Sequence, residues 1–435
     1  MIIPVSHLSP FYIFWLYGML LSFFWELPLW YMSSFNRINP RLYDVFFLLG
    51  LLIFQKKIFT ISCDNKVYNI WKKIVVWFCI CAVFYAMIES LDIVMYSILC
   101  VTRYIQGLLV IKMFLLLPHN QVDKALNRCC WIGLIVLSLY CLFELKSGTG
   151  SQIKEIEIAP GKFVNTYGNV LFGPLSFSYF HLGQLIPLAF VIVACQAIRK
   201  NFYLLFPALL LAWPALWCGS RTAMGILVVC VAGIFFLAVR RSPWSLCLLA
   251  CVLGIIVIFH WQELFSFMES AGSIERFEMY MDSEDHSISA RMKRWEWLFA
   301  LDQYKYWYLL PFVGAGFNFA PINNVYRIDY GIHCSPIYPF EQAGIVGFIL
   351  FLIFIICAFR TMWQYRNQNN LSFSGIIYLI ATLVCGIAGA HNFWREFGTG
   401  NTNTLIVLTF CLAAQTSAKQ QNIKNDLNIK NIKGH

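Results

Sequence analysis

Residues 288–347 hold the side chains of this chain that are best suited to chemistry. Arg291 and Arg294 lie three positions apart, so a helix would present both guanidinium groups on one face. A guanidinium group forms two parallel hydrogen bonds with phosphate oxygens, and the pair therefore predicts a phosphate-binding site. Salt bridges to Glu296, or to the acidic segment 261–287, are the alternative interpretation.

His333 and the acid that follows it are the next candidates. A histidine titrates near neutral pH and can accept a proton from a sugar hydroxyl group as a general base, although a lone histidine in a loop is more often structural or exposed. Glu341 and Gln342 stand just before Gly344, at the head of a long apolar run. An ionisable residue at the start of a membrane span indicates a functional site, and capping of the helix N-terminus explains Glu341 equally well.

Other arginines lie in or beside apolar runs, where a charge is costly and indicates a partner or a function. Arg221, in CGSRTAMG, is either a phosphate clamp or an arginine that snorkels to the membrane interface. We expect Arg103 to face the interior of the helix bundle and to contact a lipid headgroup. His391 and Arg395, in AHNFWREFGTGN, form a further pair, and Arg41 either continues a basic lining or lies at the interface.

The elements that must position these side chains are membrane helices. The chain has 435 residues, of which 59% are hydrophobic and 12% are charged, whereas soluble proteins carry about 25% charged residues. We predict an all-α integral membrane protein with about twelve spans. The predicted spans are 11–31, 42–55, 74–88, 92–117, 129–145, 179–198, 202–219, 222–239, 244–260, 343–360, 373–390 and 402–417.

The distribution of lysine and arginine predicts the orientation of these spans. Six connectors that alternate along the chain carry seventeen basic residues and three acidic ones. Lysine and arginine concentrate on the cytoplasmic side of membrane proteins, so both termini are predicted to be cytoplasmic. This bias also explains the formal net charge of +10 without nucleic acid as a partner. The tail 418–435 is predicted to be solvated.

Two loops face the other side. Loop 146–178 is polar and rich in glycine, and loop 261–342 is the large one, between the ninth and tenth spans. The chain is thereby divided into a bundle at 1–260, the large loop at 261–342, the last three spans at 343–417 and the tail. Within the large loop, segment 289–301 is predicted to be an interfacial helix with Ser289 as its N-cap.

Three motifs in residues 200–360 resemble the bacterial O-antigen polymerase and O-antigen ligase superfamily of membrane glycosyltransferases. They are GSRTAMGILVV with Arg221, then ARMKRWEWLFAL followed by PFVGAGFN, and finally His333 eleven positions before the first glycine of Gly344–Gly347. The chain departs from the family at Cys334, where members often have asparagine. It also departs at Gln342, which holds the position expected for an acid.

The resemblance implies a donor glycan on undecaprenyl pyrophosphate, held at the periplasmic face of the bacterial inner membrane. Arg221 and Arg291 would be catalytic by stabilising the departing pyrophosphate, and His333 would activate or orient the acceptor hydroxyl group. Arg294, Arg103, Glu341, Arg395 and His391 would bind substrate. The implied partners are the lipid-linked donor and acceptor, the bilayer, and the flippase and chain-length regulator of the same pathway.

Several readings remain open on the sequence. The chain has no P-loop, GxSxG, HExxH or plausible DxD motif, which predicts an enzyme that needs neither nucleotide nor metal as a cofactor. A polymerase of repeat units is the first interpretation, and a ligase that transfers the glycan to lipid A core is its rival. A polysaccharide flippase would concentrate polar residues within its spans and keep its loops short. A non-catalytic scaffold is the fourth alternative.

Overall fold

A computed structural model describes residues 9–25, 40–60, 65–88, 91–147, 152–159, 162–168, 179–218, 221–241, 243–244, 262, 309–314, 338–386 and 404–416. All but the first residue of the predicted span 244–260 lies outside these residues, as do the predicted interfacial helix 289–301 and nearly all of loop 261–342. The fold is therefore described for most of the predicted bundle, for part of loop 146–178 and for the last three predicted spans.

The described chain is predominantly helical, as predicted. The first five helices are α1 (Pro10–Leu21), α2 (Leu42–Thr60), α3 (Lys66–Ile88), α4 (Leu91–Leu116) and α5 (His119–Ser147). Next come α6 (Tyr179–Lys200), a 3-10 turn (Phe202–Leu204), α7 (Leu205–Leu211), α8 (Pro214–Trp217) and α9 (Arg221–Arg241). The last four are α10 (Leu310–Val313), α11 (Tyr338–Tyr365), α12 (Asn370–Gly386) and α13 (Thr404–Thr416).

Five stretches are long and apolar enough to cross a membrane, judged by length and composition among the described residues. They are Lys66–Phe84, His119–Ser147, Gly183–Lys200, Thr222–Arg241 and Gln342–Tyr365. The predicted number of about twelve spans is not confirmed. Shorter apolar helices occupy Pro10–Leu21, Leu42–Gln55, Phe202–Leu216, Asn370–Gly386 and Thr404–Thr416. Large apolar side chains such as Phe11, Leu52 and Phe236 are exposed on the outside of the bundle, where lipid is their natural solvent.

Several helix boundaries differ from the predicted ones for local reasons. Helix α3 begins at Lys66 rather than near position 74, because the Oδ1 atom of Asn65 accepts hydrogen bonds from the N–H groups of Val67 (3.0 Å) and Tyr68 (3.2 Å) and caps the helix. The predicted span 202–219 is divided into short pieces, since Pro214 has no N–H group with which to continue the preceding helix.

Loop 146–178, predicted as a polar, glycine-rich loop between two spans, contains a β-hairpin. Strands β1 (Gln152–Ala159) and β2 (Lys162–Gly168) pair in antiparallel register, with Gln152 opposite Gly168 and Ile156 opposite Val164. The register shifts between Glu157 and Ala159, which marks a bulge next to the turn. The alternation of QIKEIEIA has the period of a strand, a signal that a search for long apolar runs overlooks.

Helix ends that carry the lysines and arginines of the alternating connectors meet at one end of the bundle, which we call the basic end. Lys112 donates to the carbonyl of Ile58 (3.1 Å), Asn65 to Cys411 (2.8 Å), Asn369 to Ala413 (3.3 Å) and Arg199 to Arg366 (2.6 Å). Because these contacts join elements from all parts of the chain, they fix the relative direction of the helices. The other end, called the opposite end, holds the starts of α2, α9, α11 and α13.

Helix α13 lies at the centre of the bundle. Its residues from Thr404 to Ala414 are all buried. Near its end it is bound by three hydrogen-bonding side chains from earlier elements, since Asn65 and Asn369 donate to its carbonyls and the His119 ring contacts the carbonyl of Leu412 (3.1 Å). The Thr416 hydroxyl group also contacts His119.

Candidate functional site

The opposite end of the bundle brings together two features built from the predicted functional segments. One is a polar cluster that joins α2 and α4 beside the start of α13. The other is a break in α11 at the glycine motif. Both are surrounded by the apolar side chains of the bundle, so their polar groups are positioned by packing rather than by solvent.

The polar cluster consists of Asp44, Arg103 and Gln106. The Arg103 guanidinium group forms an ion pair with the Asp44 carboxylate, and its Nη1 atom also donates to Oε1 of Gln106 (3.0 Å). The Nε2 atom of Gln106 donates back to Oδ1 of Asp44 (3.0 Å), which closes a ring of three side chains. The side chains of Arg103 and Asp44 are only 11% and 16% exposed. A charge that is so little exposed to solvent is stabilised chiefly by its oppositely charged partner.

Two further groups lie next to this cluster, the backbone of Arg41 and the start of α13. The backbone N–H of Arg41 donates to Oδ2 of Asp44 (2.8 Å), so both carboxylate oxygens are engaged. On α4, Gly107 faces Thr404 at the start of α13, where a Cβ atom on Gly107 would lie 2.8 Å from the Thr404 hydroxyl oxygen. Arg103 therefore faces the bundle interior, as predicted, and its contacts there are Asp44 and Gln106. Its predicted contact with a lipid headgroup stays a prediction.

The backbone of α11 breaks at the glycine motif. Ala343 has φ −141° and ψ 17°, and Gly344 has φ 64° and ψ −163°. A positive φ of this size is unfavourable for any residue with a Cβ atom, so glycine is required at position 344. The indole N–H of Trp77 in α3 donates to the carbonyl of Ala343 (2.8 Å). This bond satisfies an acceptor at the break and ties α11 to α3.

Helix α10, which belongs to the motif PFVGAGFN, packs directly against this break. A Cβ atom on Gly344 would lie 2.3 Å from the carbonyl oxygen of Phe312 and 2.8 Å from that of Pro311. The main chain of α10 can approach position 344 this closely only because glycine has no Cβ atom. Gly314, which ends α10, also has a positive φ of 72°. The glycines of the two motifs thus allow a close contact between a short turn and the head of α11.

Gln342, immediately before the break, is buried with 1% of its surface exposed. In the part of the chain that the structure describes, neither its Nε2 nor its Oε1 atom has a hydrogen-bond partner. A carboxamide can donate two hydrogen bonds and accept two, and buried polar groups are normally paired. Gln342 is therefore a polar group positioned at the glycine motif with its hydrogen-bonding capacity unused.

Aromatic contacts place the two features at the same depth. The Phe78 ring lies 3.7 Å from the position of a Cβ atom on Gly347, one turn after the break. The same ring meets Tyr104 edge to face, with centroids 5.4 Å apart, and Tyr104 is the neighbour of Arg103. The start of α11 and the part of α4 that holds Arg103 thus both pack against Phe78 of α3, at one level of the bundle.

The other predicted site residues are located only in part. Arg221 is the first residue of α9 and Glu341 lies in the first turns of α11, so both belong to the opposite end. Pro339 lies in the first turn of α11, where a proline is tolerated. His333, Arg291, Arg294, His391 and Arg395 lie outside the described residues, and their predicted roles stay predictions. Within the described ranges, no group of three or more His, Cys, Asp or Glu residues could hold a metal ion.

Asp44 and Gln106 are the components of the cluster that the sequence argument missed, and Asp44 is the one that carries a charge. A signal was available, because Asp44 and Arg103 are ionisable residues of opposite sign in two predicted spans, 42–55 and 92–117. Charges within membrane spans commonly pair with one another. Sequence spacing alone does not tell which spans are neighbours.

Three features of this end of the bundle can orient a polar ligand in apolar surroundings. They are the buried carboxamide of Gln342, the ion pair between Arg103 and Asp44, and the turn at Gly344 that only glycine can adopt. In the described part of this site, the Asp44 carboxylate is engaged by Arg103, Gln106 and the Arg41 backbone. Comparison with known proteins adds no assignment, since no protein-family model matches the chain and no curated protein matches it significantly.

Proposed function

We propose that this chain is a membrane glycosyltransferase that polymerises undecaprenyl-pyrophosphate-linked oligosaccharide repeat units at the periplasmic face of a bacterial inner membrane. The proposal rests on the three-motif resemblance and on the geometry of the opposite end. Five helices of membrane-spanning length supply the setting that a lipid-linked substrate requires.

The single observation that carries the proposal is the contact between α10 and Gly344. Two sequence motifs of the resemblance, PFVGAGFN and the glycine pair that begins at Gly344, are separated by segment 315–337, which contains His333. In the structure the described elements that flank that segment are in contact, because the Phe312 carbonyl packs on Gly344. This arrangement supports an assembled site that includes His333, rather than three unrelated sequence matches.

The chemistry of the proposed reaction is a substitution at the anomeric carbon of the donor glycan. A bond forms between this carbon and the acceptor hydroxyl oxygen, and the bond from the carbon to the pyrophosphate oxygen breaks. His333 takes the proton of the hydroxyl group, and undecaprenyl pyrophosphate departs with the bonding electrons. Arg221 and Arg291 stabilise the negative charge that grows on the leaving group, while Arg294 holds the pyrophosphate.

The proposed orientation places the opposite end in the periplasm and both termini in the cytoplasm. Its support is the basic end, where Lys57, Lys66, Lys200 and Arg241 belong to helix ends that meet in the structure. A cytoplasmic excess of lysine and arginine is the general rule for membrane proteins.

The experiment is a gel of surface glycolipid from the source bacterium after deletion of this gene. The deletion strain is then complemented with the wild-type gene or with the His333→Ala variant. A polymerase predicts that the deletion leaves the core with one repeat unit and no ladder, that the wild-type gene restores the ladder, and that His333→Ala does not.

Two other outcomes point elsewhere. A bare core with polymer retained on its undecaprenyl carrier would identify a ligase that transfers glycan to lipid A core. An unchanged ladder would overturn the proposal and favour the flippase or the scaffold.

A further inference from the structure

Gln342 is a buried polar side chain at the head of α11. It is 1% exposed, and both atoms of its carboxamide lack hydrogen-bond partners within the described part of the protein. An apolar residue of similar length would fill the same space without leaving donors and an acceptor unpaired, so the amide weakens the fold as it stands. Such a group is a candidate for contact with a ligand.

The two residues after Gln342 fix its place in the backbone. The first, Ala343, is held by the hydrogen bond from Trp77 (2.8 Å). The second, Gly344, is confined by the main chain of α10, and its conformation excludes other residues. Rotation of this part of the backbone is therefore restricted, and Gln342 is held at the head of α11. Preorganised polar groups of this kind provide specificity in binding sites.

The chemistry of the carboxamide indicates what it binds. Both a donor, Nε2, and an acceptor, Oε1, lack partners among the described residues, so a suitable ligand group must both accept and donate. An ionised phosphate group has only acceptors and would leave Oε1 unpaired. A hydroxyl group both donates and accepts, so it can pair with the Oε1 and Nε2 atoms of one carboxamide.

We infer that Gln342 hydrogen-bonds a sugar hydroxyl group of the lipid-linked glycan and is a specificity-determining residue of the site. This inference rests on the proposed function and deepens it. In this inference the head of α11 recognises the sugar, whereas Arg221, Arg291 and Arg294 interact with the pyrophosphate. The substrate class is a neutral, hydroxyl-bearing sugar close to the pyrophosphate linkage.

The test compares Gln342→Met with the wild-type protein, because methionine keeps the length of the side chain and removes both hydrogen-bonding functions. The matched control is Gln184→Met in α6. Gln184 is also 1% exposed, and its Nε2 atom likewise lacks a partner among the described residues. Each full-length protein is purified in nanodiscs and supplied with lipid-linked repeat units extracted from the deletion strain.

Two kinetic quantities are measured for each protein. The first is the KM for the lipid-linked repeat unit, and the second is the inhibition constant of undecaprenyl pyrophosphate without sugar. The expected result is a roughly tenfold rise in KM for Gln342→Met, as the loss of one hydrogen bond predicts, with an unchanged inhibition constant. Gln184→Met should keep both wild-type values.

Each alternative result overturns a defined part of the argument. A wild-type KM in a folded Gln342→Met protein overturns the sugar contact and leaves the proposed function intact. An equal rise in KM and in the inhibition constant assigns Gln342 to the pyrophosphate instead. Failure of Gln342→Met to fold, while Gln184→Met folds, makes the amide structural. A wild-type protein that forms no product overturns the proposed function, and the inference with it.

Discussion

The guanidinium group of Arg103 in α4 pairs with the carboxylate of Asp44 in α2, 59 positions earlier in the chain. Gln106 and the Arg41 backbone complete the hydrogen bonding of the carboxylate, so the pair is a structural joint between two helices. Removal of either charge leaves the other without its partner in apolar surroundings, which is more damaging than removal of both.

We therefore expect Asp44→Ala and Arg103→Ala each to lower the free energy of unfolding by about 3 kcal/mol. The double variant should be more stable than the sum of the two losses predicts, with a coupling energy above about 1 kcal/mol. Denaturant titration in detergent micelles measures all four proteins. Strictly additive losses would show that the ion pair contributes nothing to stability.

Gly344 provides a second test, this time of the contact with α10. Alanine at this position would adopt an unfavourable positive φ, and its Cβ atom would meet the Phe312 carbonyl at 2.3 Å. We expect Gly344→Ala to displace α10, to lower the free energy of unfolding by about 2 kcal/mol and to abolish the glycan ladder.

The control for Gly344→Ala is Gly225→Ala in α9. There the new Cβ atom would lie 3.1 Å from the Cys385 sulfur, which belongs to a side chain that can shift. Its free energy of unfolding should change by less than about 1 kcal/mol. Similar losses for both variants, measured by the same titration, would contradict a special role for Gly344.

The proposed leaving-group clamp is tested by Arg221→Ala and Arg291→Ala. Each variant should remain folded in the membrane at the wild-type amount and give no ladder, because the charge on the departing pyrophosphate would lose a stabilising group. Arg240→Ala is a matched control, since Arg240 lies in the last turn of the helix that Arg221 begins. Normal ladders from both Arg221→Ala and Arg291→Ala would exclude the clamp.

The proposed orientation is tested by reporter fusions. Green fluorescent protein fused after His435 should fluoresce, and alkaline phosphatase at the same place should be inactive, because only the phosphatase needs the periplasm to fold. Alkaline phosphatase fused after Ser147, at the end of α5, should be active. The reverse pattern of activities would invert the topology and place the candidate site on the cytoplasmic side.

The sequence predicted the helical membrane fold because long apolar runs and flanking charges are local properties. It also located most helices correctly, with errors where capping by Asn65 or interruption by Pro214 decided a boundary. The β-hairpin of residues 152–168 was missed, since a period of two in a polar loop was not weighed. The predicted number of about twelve spans is not confirmed, and residues 245–260 of the ninth predicted span lie outside the described residues.

The candidate site was predictable only in part, for a different reason. The glycine motif identified Gly344 correctly, because a turn with positive φ favours glycine and is therefore visible in the residue type. The pairing of Arg103 with Asp44, and the bond from Trp77 to Ala343, depend on which helices are neighbours. Neighbour relations arise from packing over the whole bundle, and single-sequence reasoning has no access to them.

The central position of α13 has a consequence for how the protein is made. This helix follows every other described helix in the sequence, and its residues from Thr404 to Ala414 are all buried among them. The described helices can therefore reach their final packing only after α13 has been inserted. Closure of the earlier helices before that insertion would exclude α13, and a nonsense codon ahead of Thr404 would remove the centre of the bundle.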